Sequence, residues 1–261
     1  MNLKLAQIAG IVRYEFRLHW RGRILFVIML AILVLSGVGY VMILGNADLP
    51  SPGLITSALL IIMLIFLLPV VVSDTIPKDR QLGVRELLDA LPVTQGVYLL
   101  GKLLGGYGVT FSVLGLIVLP LGIFYGLSPE TVSFPPYLEI WFAGAVALVI
   151  MNTGLGVLLP TAQPNRRRAI ILMVAVLALS VVLSGRSFQG DNITTFLNPT
   201  RLPLIMYYLG DVAHAGSMEV TRFKPVDVWL SIGVGLIEIV IVGVAVWAWP
   251  RWRENRLLGK G

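Results

Sequence analysis

The sequence predicts an all-α, polytopic membrane protein with six transmembrane helices, forming a single domain over residues 1–261. Three observations predict it. First, 57% of the residues are hydrophobic and 13% are charged, whereas soluble domains carry roughly 25% charge. The 20 Lys and Arg and 14 Asp and Glu cannot cover a soluble fold of this length, and a mean hydropathy of +0.87 excludes disorder. Second, the apolar residues gather into runs near the ~20 residues needed to cross ~30 Å of hydrocarbon. Third, the positive charges lie between those runs.

The elements follow in chain order. Residues 1–23 read as an interfacial helix. Leu5, Ile8, Val12 and Phe16 recur at helical spacing, and Lys4, Arg13, Arg17 and Arg21 fall away from that stripe. The segment lacks the apolar stretch and small-residue cleavage site of a secretory leader. Six spans follow, at 24–44, 54–73, 103–125, 137–159, 169–185 and 227–249, the third with a start as early as Val97 also compatible. They must be helical, because lipid offers the backbone no hydrogen-bond partner, and the alternation of barrel strands is absent. Residues 186–226, between spans five and six, are long for a structureless loop. Their apolar piece Leu202–Leu209 is too short to cross, so this region reads as short outer helices dipping toward the membrane.

The loops orient the spans. Lys4, Arg13, Arg17, Arg21 and Arg23 precede the first span, and Lys78, Arg80, Arg85 and Lys102 flank the second loop. Arg166, Arg167 and Arg168 fill the fourth loop, and Arg251, Arg253, Arg256 and Lys260 the C-terminal tail. The first and third loops have no Lys or Arg; the fifth has Arg186, Arg201, Arg222 and Lys224. With six spans, most of the positive charge falls on one side, which places both termini in the cytoplasm of a multi-pass protein of the cell membrane. The net charge of +6 is thus accounted for by orientation against membrane lipid, not by nucleic acid.

Between spans two and three lies a short amphipathic helix, residues 79–91. Val84, Leu87, Leu88 and Leu91 fall at i, i+3, i+4, i+7 and form its apolar face, while Arg80, Arg85, Glu86 and Asp89 supply charge. Gly83 interrupts its beginning and Pro92 ends it. Two readings stand: a connector lying on the membrane surface, or a plug docking into a cytosolic partner.

Chemistry is sparse elsewhere. Cysteine is absent, which removes disulfides and thiolate chemistry, and the two histidines, His19 and His214, do not make a His-rich metal centre. Gly96-Val-Tyr-Leu-Leu-Gly101-Lys102 imitates a phosphate-binding loop, but Leu103 replaces the required Ser or Thr and a span follows, so no ATP site is carried here. Asp211 with His214 is too few ligands for a metal, and Asn192-Ile193-Thr194 spells a sequon of the kind that arises by chance. Gly101-xxx-Gly105 and Gly122-xxx-Gly126 allow close helix approach. No intramembrane catalytic pair is found, so the chain is not an enzyme by itself. Two intramembrane polar positions stand out. Glu238, the one acid deep in a span, costs about 2.5–3.5 kcal/mol if charged. It shares a face with Ser231 and Gly235, and Asn152 and Thr153 match its depth. It reads either as a protonated packing residue or as a polar point on a translocation route or subunit interface.

The stretch Asp79–Thr94, followed by Leu100-Gly101-Lys102-Leu103, resembles the signature of type 2 ABC transporter permeases. That pattern is approximately acid-Arg-Glu-x-Gly-Thr-Leu-Glu-x-Leu-Leu-x-x-Pro-Val/Ile-Ser/Thr, then a Lys at the start of the third span. Arg80, Gly83, Glu86, Leu88, Pro92, Val93, Thr94 and Lys102 match, whereas Gln81, Val84 and Arg85 depart from it. The resemblance implies a permease that pairs with a second, identical or related permease. Two separate ATPase subunits would dock beneath and hold the ATP and magnesium, so no cofactor is expected on this chain. Residues 79–91 would be the coupling helix, with Arg80 and Glu86 meeting the ATPase, Leu87, Leu88 and Leu91 seating the helix, and Gly83 and Pro92 bounding it. Most members of the family export. The rival expectation is a structural or assembly subunit of a larger membrane complex that uses the same fold.

Overall fold

The computed structural model describes residues 3–22, 26–27, 29–34, 37–38, 60, 64, 68–69, 72–73, 75–84, 93–126, 141, 146–163, 165–184, 230, 232–245 and 248. Among them every regular element is helical and no strand occurs, in agreement with the predicted all-α class. Helix α1 is Leu3–Arg21, α2 is Thr75–Gln81 and α3 is Gln95–Gly126. Helix α4, Ala147–Leu158, runs into a 3-10 turn at Leu159–Ala162; α5 is Arg166–Ser184 and α6 is Ile232–Ala245. Within α3, Gln95–Leu121 is the one helix among the described residues long and apolar enough to cross a membrane. The predicted spans at 24–44, 54–73, 137–159 and 227–249 lie partly outside the described residues, and the outer region 186–226 lies wholly outside them.

Local chemistry sets the helix ends. Gly22 closes α1, its N–H donating to the His19 carbonyl at 3.1 Å, while His19 and Arg21 place positive charge on the last turn, where the helix dipole is negative. Beyond this break Trp20 packs edge-on against Phe26, with ring centroids 5.3 Å apart. Helix α2 stops because Gly83 takes φ 67°, the left-handed conformation that terminates helices. Thr94 caps α3, its hydroxyl accepting the Val97 N–H at 3.4 Å. Helix α3 therefore starts before the predicted 103–125, close to the earlier start at Val97 that the sequence also allowed. With 32 residues at 1.5 Å each, α3 is about 48 Å long and exceeds the hydrocarbon thickness.

Helix α3 is the spine. Helix α1 packs along its first half and α4 along its middle, while α2 and the start of α5 meet the 3-10 turn. The α1 contact depends on two glycines: a Cβ at Gly101 would sit 2.8 Å from Ile11, and one at Gly105 would sit 2.7 Å from the Glu15 Cβ. The Gly101-xxx-Gly105 pattern thus brings α1 into contact. The face α1 turns to α3 carries Ile11 and Glu15. Leu5 and Phe16, predicted on the apolar stripe, are exposed, and Lys4, Arg13, Arg17 and Arg21 are exposed as expected.

Polarity is arranged as in a membrane fold. Leu119, Ile123, Ile171, Val182, Ile237 and Ile241 point outward. Asn152, Thr153, Thr110, Ser180 and Lys102 are buried. The hydroxyls of Thr110, Ser112 and Ser180 donate to carbonyls one turn back, at 3.0, 2.7 and 2.8 Å. This satisfies them within their own helices, as lipid cannot.

Candidate functional site

The loop between α2 and α3 leaves and returns through two stems, and a buried ionic cluster ties them together. Asp79 lies near the end of α2, and Lys102 on the opening turns of α3. The Lys102 ammonium is 2.5 Å from Asp79 Oδ2 and also pairs with Glu15 Oε1 on α1. All three residues are at most 2% exposed. Tyr98, one turn before Lys102, donates its hydroxyl to Asp79 Oδ2 at 2.8 Å. The Tyr98 and Tyr14 rings flank the ammonium, with centroids 5.6 and 5.8 Å away, a cation–π arrangement.

The charges do not balance within the triad: two carboxylates face one ammonium. Glu15 Oε2 and Asp79 Oδ1 are buried without a hydrogen-bond partner. His19 Nδ1 lies 3.9 Å from Glu15 Oε2 and 2.9 Å from the Glu15 carbonyl oxygen. Lys102 is thus fully engaged by side chains of two other helices, and Gly96–Lys102 is regular helix instead of a phosphate-cradling loop. Among the described residues no group of three or more His, Cys, Asp or Glu could hold a metal ion.

The predicted coupling residues are placed unevenly. Arg80 is in α2, and Gly83 makes the left-handed turn after it. Glu86, Leu87, Leu88, Leu91 and Pro92 lie outside the described residues. The helix break falls at Leu82–Gly83, four residues later than the predicted start at 79, so residues 79–81 belong to the preceding helix. The reason is that Asp79 is pulled inward by Lys102 and Tyr98, which keeps this turn helical and packed.

The two polar positions predicted to lie within spans are described. Asn152 is fully buried in α4, with both its amide nitrogen and oxygen unpartnered. Glu238 is half-buried on α6, and its neighbour Ile239 packs on Gly154, where an added Cβ would stand 2.7 Å from Ile239. Helices α6 and α4 therefore meet at Ile239 and Gly154, one residue from Glu238 and two from Asn152. Thr153, the other predicted partner, instead donates its hydroxyl to Thr110 on α3 at 3.1 Å. Tyr107 adds a second α3–α4 tie, donating to the Ile150 carbonyl at 2.8 Å.

Glu15 and Tyr98 escaped the sequence reading. The signal for Glu15 was available: Ile8, Ile11 and Glu15 recur at spacing three and four, which puts an acid in line with an apolar stripe. An acid there is either solvated or paired, and only the fold distinguishes the two.

The family model described as ABC-2 family transporter protein matches residues 51–248. The match covers both stems of the loop, Asp79 and Lys102, and leaves Glu15 outside it. No curated protein matches the chain.

Proposed function

The chain belongs to the ABC-2 transporter family, and as a permease-type membrane component of an ABC transporter it is a transport protein, not itself catalytic; on that premise we propose that it is the membrane-spanning subunit of an ATP-driven exporter. In this reading it has six spans with both termini in the cytoplasm. It pairs with a second permease, identical or related, above two separate ATPase subunits that carry ATP and magnesium. The segment from Gly83 to Pro92 is the coupling element, with Glu86 meeting the ATPase and Leu87, Leu88 and Leu91 seating it.

The observation that carries the reading is the meeting of Asp79 with Lys102. These residues stand near the two ends of the motif, and their contact pins the stems of the loop together at one end of the bundle. The 3-10 turn that leads into the Arg166–Arg168 segment packs against α2 at the same end. A loop held at its base and flanked by positive charge suits docking into a soluble partner better than lying loosely on the surface.

Affinity purification of the tagged chain from its native membrane tests this. The expected result is stoichiometric recovery of a P-loop ATPase, and charge reversal at Glu86 should reduce that recovery more than reversal at Glu254. Recovery with a large set of membrane subunits and no ATPase would favour a structural role instead.

A further inference from the structure

We propose that Lys102 is a positioning residue: its joint with Asp79 and Glu15 transmits movement of the α2–α3 loop to the N-terminal helix α1. The inference rests on the permease reading above and concerns a helix that the family match does not include.

The geometry gives the loop two stems and one anchor. Asp79 is on the outgoing stem, and Tyr98 and Lys102 are on the returning one. Tyr98 to Asp79 at 2.8 Å and Lys102 to Asp79 at 2.5 Å keep the stems from splaying. A push on the loop therefore displaces the stems as a unit. The same ammonium holds Glu15, so α1 is attached to that unit by a buried, charge-assisted bond. Gly101 and Gly105 bring α1 into close contact on either side of Lys102, which holds Glu15 within reach of the ammonium.

The unbalanced chemistry suits a joint better than a weld. Each carboxylate keeps one buried oxygen without a partner, Glu15 Oε2 and Asp79 Oδ1. Lys102 has three rotatable N–H donors on a flexible stem. The ammonium can thus pass between the two oxygens of one carboxylate while holding the other, and α1 can slide against α3 with the link intact.

The chain has no cysteine, so an introduced pair is unique within it. Spin labels on Arg17→Cys and Arg168→Cys, both at exposed positions, report the separation of α1 from α5 in the assembled permease–ATPase complex. The wild-type distance distribution should shift between the nucleotide-free complex and the ATP–vanadate-trapped one. Glu15→Gln/Asp79→Asn/Lys102→Met severs the joint and removes every charge. In it, the ATPase should still co-purify and trap nucleotide, but the α1 shift should be lost; Lys102→Arg should retain it. A full shift in the triple variant, or an α1 that does not move in the wild type, overturns the inference alone. Absence of any ATPase beneath the wild-type chain sinks the permease reading, and the inference with it.

Discussion

Lys102 is 1% exposed, and lysine is almost never so deeply buried unless paired. Taking its charge out of water costs several kcal/mol, and the two carboxylates around it repay that only as a set. Removing one member strands the others. Lys102→Met leaves two buried carboxylates facing each other and should destabilise the protein by about 3–5 kcal/mol, whereas the all-neutral Glu15→Gln/Asp79→Asn/Lys102→Met variant should fall within about 1 kcal/mol of wild type. Unfolding in detergent with increasing denaturant measures both. A Lys102→Met protein as stable as wild type would mean that the cluster is hydrated. Glu238 poses the opposite case, a half-buried acid on a helix whose neighbouring residue touches α4. Glu238→Gln keeps hydrogen bonding and drops the ionisable group; Glu238→Leu drops both. Normal assembly of the Gln variant beside a destabilised Leu variant assigns Glu238 to packing, while a folded Gln variant in an inactive complex assigns it to transport. At this scale the sequence singled out Glu238, since an acid within an apolar run is marked by residue type and position alone. It did not reveal that Glu15 was costly, because an acid on an amphipathic helix is inexpensive until a second helix covers it.

Helices were legible where length and punctuation decide. The apolar run of the third span, the break at Gly83 and the basic start of α5 are all properties of local sequence. Of the boundaries that moved, one did so through a local cap and the other through a tertiary contact. Helix α3 begins at Gln95 because Thr94 caps it, and α2 continues through Gln81 because Asp79 is held from the side. The small-residue pattern on α3 was readable as close packing, but its partner was not, since two glycines four apart do not name the helix they admit. The glycines can be separated by experiment. Gly115 has open space where a Cβ would stand, whereas Gly105 would place one 2.7 Å from the Glu15 Cβ. Gly115→Ala should therefore stabilise α3 by up to about 1 kcal/mol through helix propensity alone. Gly105→Ala gains the same propensity but must push α1 away, a cost of about 1–3 kcal/mol that outweighs it. Thermal denaturation in matched detergent should move the two variants in opposite directions; a stabilised Gly105→Ala would place α1 off α3.

Among the described residues, many apolar side chains face outward and the polar groups named above face inward, a distribution suited to lipid and costly in water. The orientation of that molecule rests on charge, and the fold narrows how it can be tested. Gln81 ends α2 at an exposed position, and Asn165 is exposed just before the Arg166–Arg168 segment. Because α2 packs against the 3-10 turn and α5, these two sites share one end of the bundle and must report alike. In the chain's natural cysteine-free background, single cysteines at Gln81 and Asn165 should both resist an impermeant thiol reagent applied to intact cells, and both should react once the membrane is opened. Ser51, Ser133 and Ser217 lie between the spans on the opposite side in the six-span reading, and cysteines there should react from outside. The charge argument gives the direction: each Arg or Lys near a span end favours the cytoplasmic side, and Arg166, Arg167 and Arg168 act together. Protection of Gln81 with outside labelling of Asn165 would contradict the packing of α2 on α5. Outside labelling of both would keep the fold and reverse its orientation, placing the Gly83–Pro92 segment where no cytosolic ATPase could reach it.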